Sequence, residues 1–149
     1  MTISGIDLKK QTHALLTELC DVINNDDLEK FKKFSPPTTN MEGLFEEIHE
    51  LVIEYCSGPD EPPFNIQPAP LDLFLEKYDS TGDNLIQFYF RQGNKDKDRI
   101  IEDEWQYSDG EWNIECSLFI HEKEINVTLR ANLFYSDNKL RLQYSVICF

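Results

Sequence analysis

The chain has 149 residues, of which 40% are hydrophobic and 12% aromatic; this is enough for one domain with a buried core, and it excludes a disordered chain. Its formal net charge at pH 7 is −14. That sign disfavours binding to nucleic acids and to anionic membranes, which attract basic proteins, and it favours a basic protein partner.

The first third of the sequence predicts three helices. Ser4 opens the first helix, whose apolar residues recur at three- and four-residue steps up to about Asn24. A short second helix follows and ends at Pro36, because proline cannot continue a helix. The third helix is predicted over 41–56, where the Ser-Gly-Pro stretch 57–59 stops it.

The rest of the sequence predicts a connector followed by a sheet. Residues 58–70 contain five of the seven prolines, which is typical of a connector. From about Leu71 to 149, apolar and polar residues alternate with a period of two. The predicted fold class is α+β, with about three N-terminal helices (about 4–57) packed on one face of a curved antiparallel sheet of about five to six strands. The whole chain, 1–149, is predicted to be a single domain.

Five stretches have the alternation expected of strands. They are LIQFYFRQG, RIIEDEWQY, EWNIECSLFI, EINVTLRANLFY and LRLQYSVICF. The alternation turns one apolar set of residues towards the helices, which predicts a closed core rather than an open cavity. This set is Ile114, Leu118, Val127, Leu129, Ala131, Leu142 and Val146.

Catalytic and cofactor motifs are not evident in the sequence. The six glycines are isolated and the three histidines lie on unrelated elements, so neither a phosphate-binding loop nor a metal pair is predicted. Cys20, Cys56, Cys116 and Cys148 are scattered beside apolar residues, which is typical of buried free thiols in a reducing compartment; disulfides are the alternative. We therefore expect no enzyme activity, no cofactor and no metal. The absence of a signal peptide and of a membrane-spanning stretch predicts a cytoplasmic protein.

The negative charge is concentrated in two blocks that contain neither lysine nor arginine. Residues 34–76 carry nine acids and residues 100–122 carry seven. On a helical wheel, the third helix separates its glutamates from its apolar residues. Glutamates four residues apart repel each other by about 0.2–0.5 kcal/mol per pair. A solvated face that promotes solubility is one interpretation, and a binding face for a basic partner is the other.

The stretch ALLTELCDVINNDDLEKFKKFSP, with Asp27, Leu28 and Phe31 in its second helix, resembles the opening of the cone-shaped SnoaL-like folds of the nuclear-transport-factor superfamily. That resemblance implies a long helix, a short helix and then a curved antiparallel sheet. In size, acidity and lack of catalytic motifs, the chain also resembles bacterial immunity proteins of contact-dependent growth inhibition. This second resemblance implies a protein that neutralises a cognate toxin, often a basic nuclease.

The sequence thus predicts an immunity protein that binds one basic toxin domain in a 1:1 complex, with no nucleic-acid or membrane partner. The alternative is a cone-fold enzyme or small-ligand-binding protein with a pocket between helices and sheet. The predicted contact residues are carboxylates with a few apolar anchors. The carboxylates are Glu46, Glu47, Glu50, Glu54, Asp60, Glu61, Glu102, Asp103, Glu104 and Asp109, and the anchors are Ile53, Trp105 and Tyr107.

Overall fold

The computed structural model describes residues 2–56, 60–76, 85–93 and 101–149. Within these ranges the chain forms helices first and strands afterwards, with two short strands among the helices. In chain order the elements are β1 (Ile3–Ser4), α1 (Gly5–Asn24), α2 (Leu28–Phe31), α3 (Met41–Tyr55), β2 (Gln67–Pro68), α4 (Leu71–Glu76), β3 (Ile86–Gln92), β4 (Gln106–Tyr107), β5 (Gly110–Ile120), β6 (Lys123–Ser136) and β7 (Lys139–Cys148). Each helix in this part of the chain is too short or too polar to cross a membrane.

A polar side chain caps the start of each of the three N-terminal helices. The Ser4 hydroxyl accepts a hydrogen bond from the Asp7 N–H at 3.3 Å, at the start of α1. Asp27 caps α2 and Asn40 caps α3 in the same way. These acceptors satisfy N–H groups that have no partner inside the helix. The caps fix where the helices begin, and α2 is only a single turn.

The main sheet is antiparallel and is built around β5. β3 and β2 both pair directly with one edge of β5, at different points along its length. The other edge of β5 pairs with β6, which pairs in turn with β7. The turns at 121–122 and 137–138 have positive φ at both residues, the geometry that two-residue hairpins favour. α1 and α3 both pack against β7, and α1 also contacts β2. The helices therefore cover one face of the sheet, and the other face is exposed.

The predicted burial of Val146 in the core is wrong, because β7 contains a bulge. The pairing of β6 with β7 shifts between Arg130 and Ala131, which leaves Ser145 as an extra residue. An extra residue changes the phase of the alternation and bends the strand. Ile147 is consequently buried, whereas the predicted Val146 is only half-buried. The other predicted inward residues are buried: Ile114, Leu118, Val127, Leu129, Ala131 and Leu142.

The α+β class, with helices on one face of a curled antiparallel sheet, is confirmed. Two predicted element boundaries are wrong. The sequence predicts strand from about Leu71, but residues 71–76 form α4, in which the Phe74 N–H donates to the Pro70 carbonyl at 2.9 Å. The predicted strand RIIEDEWQY is described from residue 101 onwards, and within that part Gln106–Tyr107 alone is a strand, which pairs with β1 outside the main sheet. The predicted helix stop at 57–59 lies outside the described residues.

Asn24 ties the connector to the end of α1. Its buried side chain accepts a hydrogen bond from the Ile66 N–H at 3.0 Å and donates one to the Ile66 carbonyl at 2.8 Å. Asn24→Ala leaves both backbone groups buried without partners, so we expect the free energy of unfolding to fall by about 2–4 kcal/mol. Urea denaturation measures this loss. Asn25→Ala, at the exposed next residue, is the matched control and should cost less than about 1 kcal/mol. Equal losses would contradict the role given to the Ile66 bonds.

Candidate functional site

The acidic face of α3 lies on the surface of the molecule. Its glutamates are all exposed: Glu42, Glu46, Glu47, Glu50 and Glu54. The opposite side of the helix buries Phe45, Ile48 and Val52 in the core. Ile53 lies on the glutamate side, where it is half-buried and packs against the edge of the core. The 100° step of the helix thus produces the division that the sequence predicts.

The glutamates of the α3 face have no ion-pair partner among the described residues. Three lysines between α1 and α3 are engaged elsewhere. Lys30, Lys32 and Lys33 pair with Asp27, Glu29 and Glu18. The α3 face therefore keeps its full negative charge, and its members repel one another along the helix.

The second acidic block differs from the α3 face, because its residues 102–105 pack against the N-terminus of α1. The Trp105 carbonyl accepts a hydrogen bond from the Gly5 N–H at 2.8 Å, and the Asp103 carbonyl accepts one from the Ile6 N–H at 3.2 Å. The Asp103 carboxylate forms an ion pair with Lys9 of α1, whose ammonium group is buried. Acidic groups at a helix N-terminus are also stabilised by the helix dipole. The block thus caps a helix and neutralises a buried charge inside the fold.

Tyr107 does not belong to the accessible surface, which corrects its prediction as an anchor. Its side chain is fully buried and packs edge-on against Trp112, with ring centroids 6.3 Å apart. Its hydroxyl accepts a hydrogen bond from the Glu102 N–H at 3.0 Å, and burial raises the pKa of Tyr107. Trp105, the other predicted anchor of this block, has 45% of its side chain exposed. A partner can therefore reach Trp105 but not Tyr107 while the fold is intact.

The remaining predicted contact residues are spread over separate parts of the molecule. Asp60 and Glu61 are exposed on the connector, and Glu104 and Asp109 are exposed in the second block. Glu102 is half-buried. Of all the predicted residues, those of α3 alone stand together on one rigid element.

Lys9 is the residue of this region that the sequence interpretation missed. It falls in the buried stripe of α1 with Thr12, Leu16 and Leu19, at three- and four-residue steps. Lysine is almost never fully buried unless it is paired, because an unpaired charge is costly to remove from water. A lysine within an apolar stripe therefore signals a buried cation that needs an acidic partner from elsewhere in the chain.

Substitutions of the two partners of the Lys9–Asp103 pair should have unequal effects. Asp103→Ala leaves a buried ammonium group unpaired, so we expect the free energy of unfolding to fall by about 1–3 kcal/mol. Lys9→Met keeps the packing of the side-chain stem and removes the charge, so the expected change is within about 1 kcal/mol. Urea denaturation compares the two, with Glu104→Ala at the exposed neighbour as control. If Lys9→Met is as destabilising as Asp103→Ala, the cost of an unpaired buried charge is not the dominant effect.

The groups that a pocket between helices and sheet would need are part of the core. Tyr144 is 2% exposed, its hydroxyl accepts a hydrogen bond from the Ile147 N–H at 3.1 Å, and burial raises its pKa to about 12. Cys20, Cys56 and Cys116 are free and buried. Burial raises the pKa of Cys56 to about 11 and that of Cys116 to about 12, so these thiols are protonated at neutral pH. In the described ranges, no group of three or more His, Cys, Asp or Glu residues is arranged to hold a metal ion.

Comparison with known proteins assigns no family, since no protein-family model, curated protein or solved structure matches the chain.

Proposed function

We propose that this chain is a binding protein whose α3 face holds a basic surface of another protein. The contrast between the two acidic blocks carries the proposal. The second block satisfies groups of its own fold, through the cap on α1 and the Lys9–Asp103 pair. The glutamates of the α3 face form no ion pair with any of the described residues. A basic partner would relieve their mutual repulsion, and that relief would add to the attraction between the two proteins.

The α3 face is also rigid, which favours tight binding. α3 is held from beneath by Phe45, which stacks on Phe31 of α2 at 4.7 Å between ring centroids, and by Ile48 in the core. Glutamates four residues apart on such a helix keep a spacing of about 6 Å. A partner that binds this row fixes few new backbone angles, so little conformational entropy is lost.

Within this class of function, an immunity protein against a basic nuclease toxin fits the α3 face best. A nuclease cleft carries cations that hold the phosphates of its substrate, and a row of carboxylates presents the same sign of charge in their place. The size and acidity of the chain resemble those of immunity proteins. The proposal is a 1:1 complex, formed in the cytoplasm, in which the α3 face covers the basic cleft of the toxin domain.

The test uses a basic nuclease domain encoded beside this chain, with its catalytic residue inactivated and the two proteins expressed together. We expect a 1:1 complex whose association rate falls by roughly tens of fold between about 0.01 M and 0.15 M salt, because the Debye length falls from about 30 to 8 Å. Stopped-flow kinetics measures the rate. An association rate that does not depend on salt would rule out steering by the α3 face.

A further inference from the structure

The exposed face of the main sheet carries a row of amide side chains in register. Asn113 of β5 is the cross-strand partner of Asn132 of β6, which is in turn the partner of Gln143 of β7. On the other side of Asn113, the partner is Tyr89 of β3. Since neighbouring strands lie about 4.8 Å apart, the row crosses four strands in about 15 Å.

The amide row is not explained by the needs of the fold. Asparagine is among the residues that strands disfavour, yet Asn113 and Asn132 lie opposite each other in the middle of two long strands. No side-chain hydrogen bond within the described ranges engages Asn113, Asn132 or Gln143. Positions where a local preference is overridden without a compensating contact are often functional. The amides have their donors and acceptors available for a ligand.

A depression with a volume of about 450 Å³ adjoins the row. Such a volume is within the range of about 300–1,000 Å³ that is typical of ligand sites. Ile114 and Ala131 contribute backbone atoms to it, because their side chains are buried on the opposite face of the sheet. The side chains that line it are Tyr89, Asn113, Glu115, Arg130, Asn132 and Ser145. Ser145 is the bulge residue of β7, and bulges are frequent beside binding sites.

Two contacts hold the polar walls of this depression in place. Arg130 Nε lies 3.2 Å from Glu115 Oε1 across the β5–β6 pair, so the two charges cancel and the guanidinium group is oriented. The Tyr89 hydroxyl donates a hydrogen bond to the Gln87 side chain, which orients its ring. A ligand would meet preformed polar groups, and less entropy would be lost on binding.

We propose that this depression, the amide pocket, binds a neutral polyhydroxylated ligand of the saccharide class. Each amide both donates and accepts hydrogen bonds, as each sugar hydroxyl does. The paired charges of Arg130 and Glu115 leave the lining of the depression without a net charge, so it offers no counter-charge to an ionic ligand. The amide pocket lies on the face of the sheet opposite to the helices, so this inference is independent of the proposed function.

The test is a titration of ¹⁵N-labelled protein with three neutral tetrasaccharides: maltotetraose, cellotetraose and chitotetraose. We expect at least one of them to shift the side-chain NH₂ signals of Asn113 and Asn132, which line the depression, while signals of α3 stay unchanged. Asn132→Ala should weaken that binding by about tenfold, because it removes hydrogen bonds that the ligand makes in place of water. Asn126→Ala, an exposed asparagine of the same strand outside the pocket, is the matched control and should leave the affinity unchanged.

The proposal is wrong if none of the three tetrasaccharides shifts the amide signals, or if Asn126→Ala weakens binding as much as Asn132→Ala. It is also wrong if only an uncharged Gly-Ser hexapeptide or an oligothymidine shifts them, because the ligand would then be a peptide or a nucleic acid. The variant with Glu46, Glu50 and Glu54 changed to lysine should keep its saccharide binding. That variant separates a failure at the amide pocket from a failure at the α3 face.

Discussion

Changing Glu46, Glu50 and Glu54 to lysine should abolish binding of a basic partner and leave the fold intact. All three side chains are exposed and form no hydrogen bond or ion pair with a described residue, so the core does not change. Stability should be equal or slightly higher, because Glu42 and Glu47 gain lysine neighbours at i+4 and i+3. Binding to the toxin domain should weaken by several kcal/mol, since like charges then face each other. Calorimetric titration measures the affinity, and a decalysine peptide is a second probe of the same face.

The matched variant changes Glu102, Asp103 and Glu104 to lysine, with the same change in total charge. This variant should lose stability, because a lysine at 103 would face the buried Lys9 and positive charge would lie at the N-terminus of α1. Urea denaturation of both variants measures the effect of each block on stability, and calorimetric titration measures its effect on the affinity for the toxin domain. If the α3 variant still binds the toxin domain and the second variant is folded but does not bind, the binding site lies on the second block.

Gly5→Ala should be among the most destabilising single substitutions in the chain. A Cβ atom at Gly5 would lie 1.8 Å from the Glu102 carbonyl oxygen and 2.6 Å from its carbonyl carbon. Both are backbone atoms that cannot rotate away, so the segment 102–105 would have to leave the N-terminus of α1. The hydrogen bonds of Gly5 and Ile6 to that segment would be lost together with the Lys9–Asp103 pair. We expect the free energy of unfolding to fall by roughly 3–5 kcal/mol, measured by urea denaturation.

Gly43→Ala is the control for the substitution at Gly5. A Cβ atom at Gly43 would lie 2.4 Å from the side-chain nitrogen of Asn40, an exposed group that can rotate. The loss of the Asn40 cap costs about 1 kcal/mol, and the higher helix propensity of alanine returns a similar amount. We expect a change near zero. If Gly5→Ala were as harmless as Gly43→Ala, the close contact between α1 and the segment 102–105 would not be tight in solution.

Much of the fold and the α3 face could be predicted because the signals are local. The strands β5, β6 and β7 alternate over ten or more residues and end at short polar turns, so period and turn chemistry agree. The α3 glutamates could be placed because a helix fixes the direction of each side chain from its position alone. Their exposure follows from the same geometry.

What could not be predicted depends on contacts between distant parts of the chain. Nothing local to Asp103 indicates that Lys9 is its partner, so the second block appears uncompensated in the sequence although it is paired in the fold. The bulge at Ser145 depends on how β6 and β7 match, and for this reason the burial of Ile147 rather than Val146 was missed. The helix α4 was missed because its six residues are too few for a helical period to be recognised.

The pairing of β1 with β4 also affects how the chain is made on the ribosome. Ile3 pairs with Tyr107, 104 positions further along the chain. The helix that is synthesised first therefore emerges without the groups that complete its first turn, and it must wait until the segment 102–107 has been translated. Contacts between such distant residues slow folding, because a long loop has to close before they form. A nascent chain that stops short of residue 102 should keep a frayed start of α1 and an unpaired Lys9, and it would be a natural substrate for chaperones.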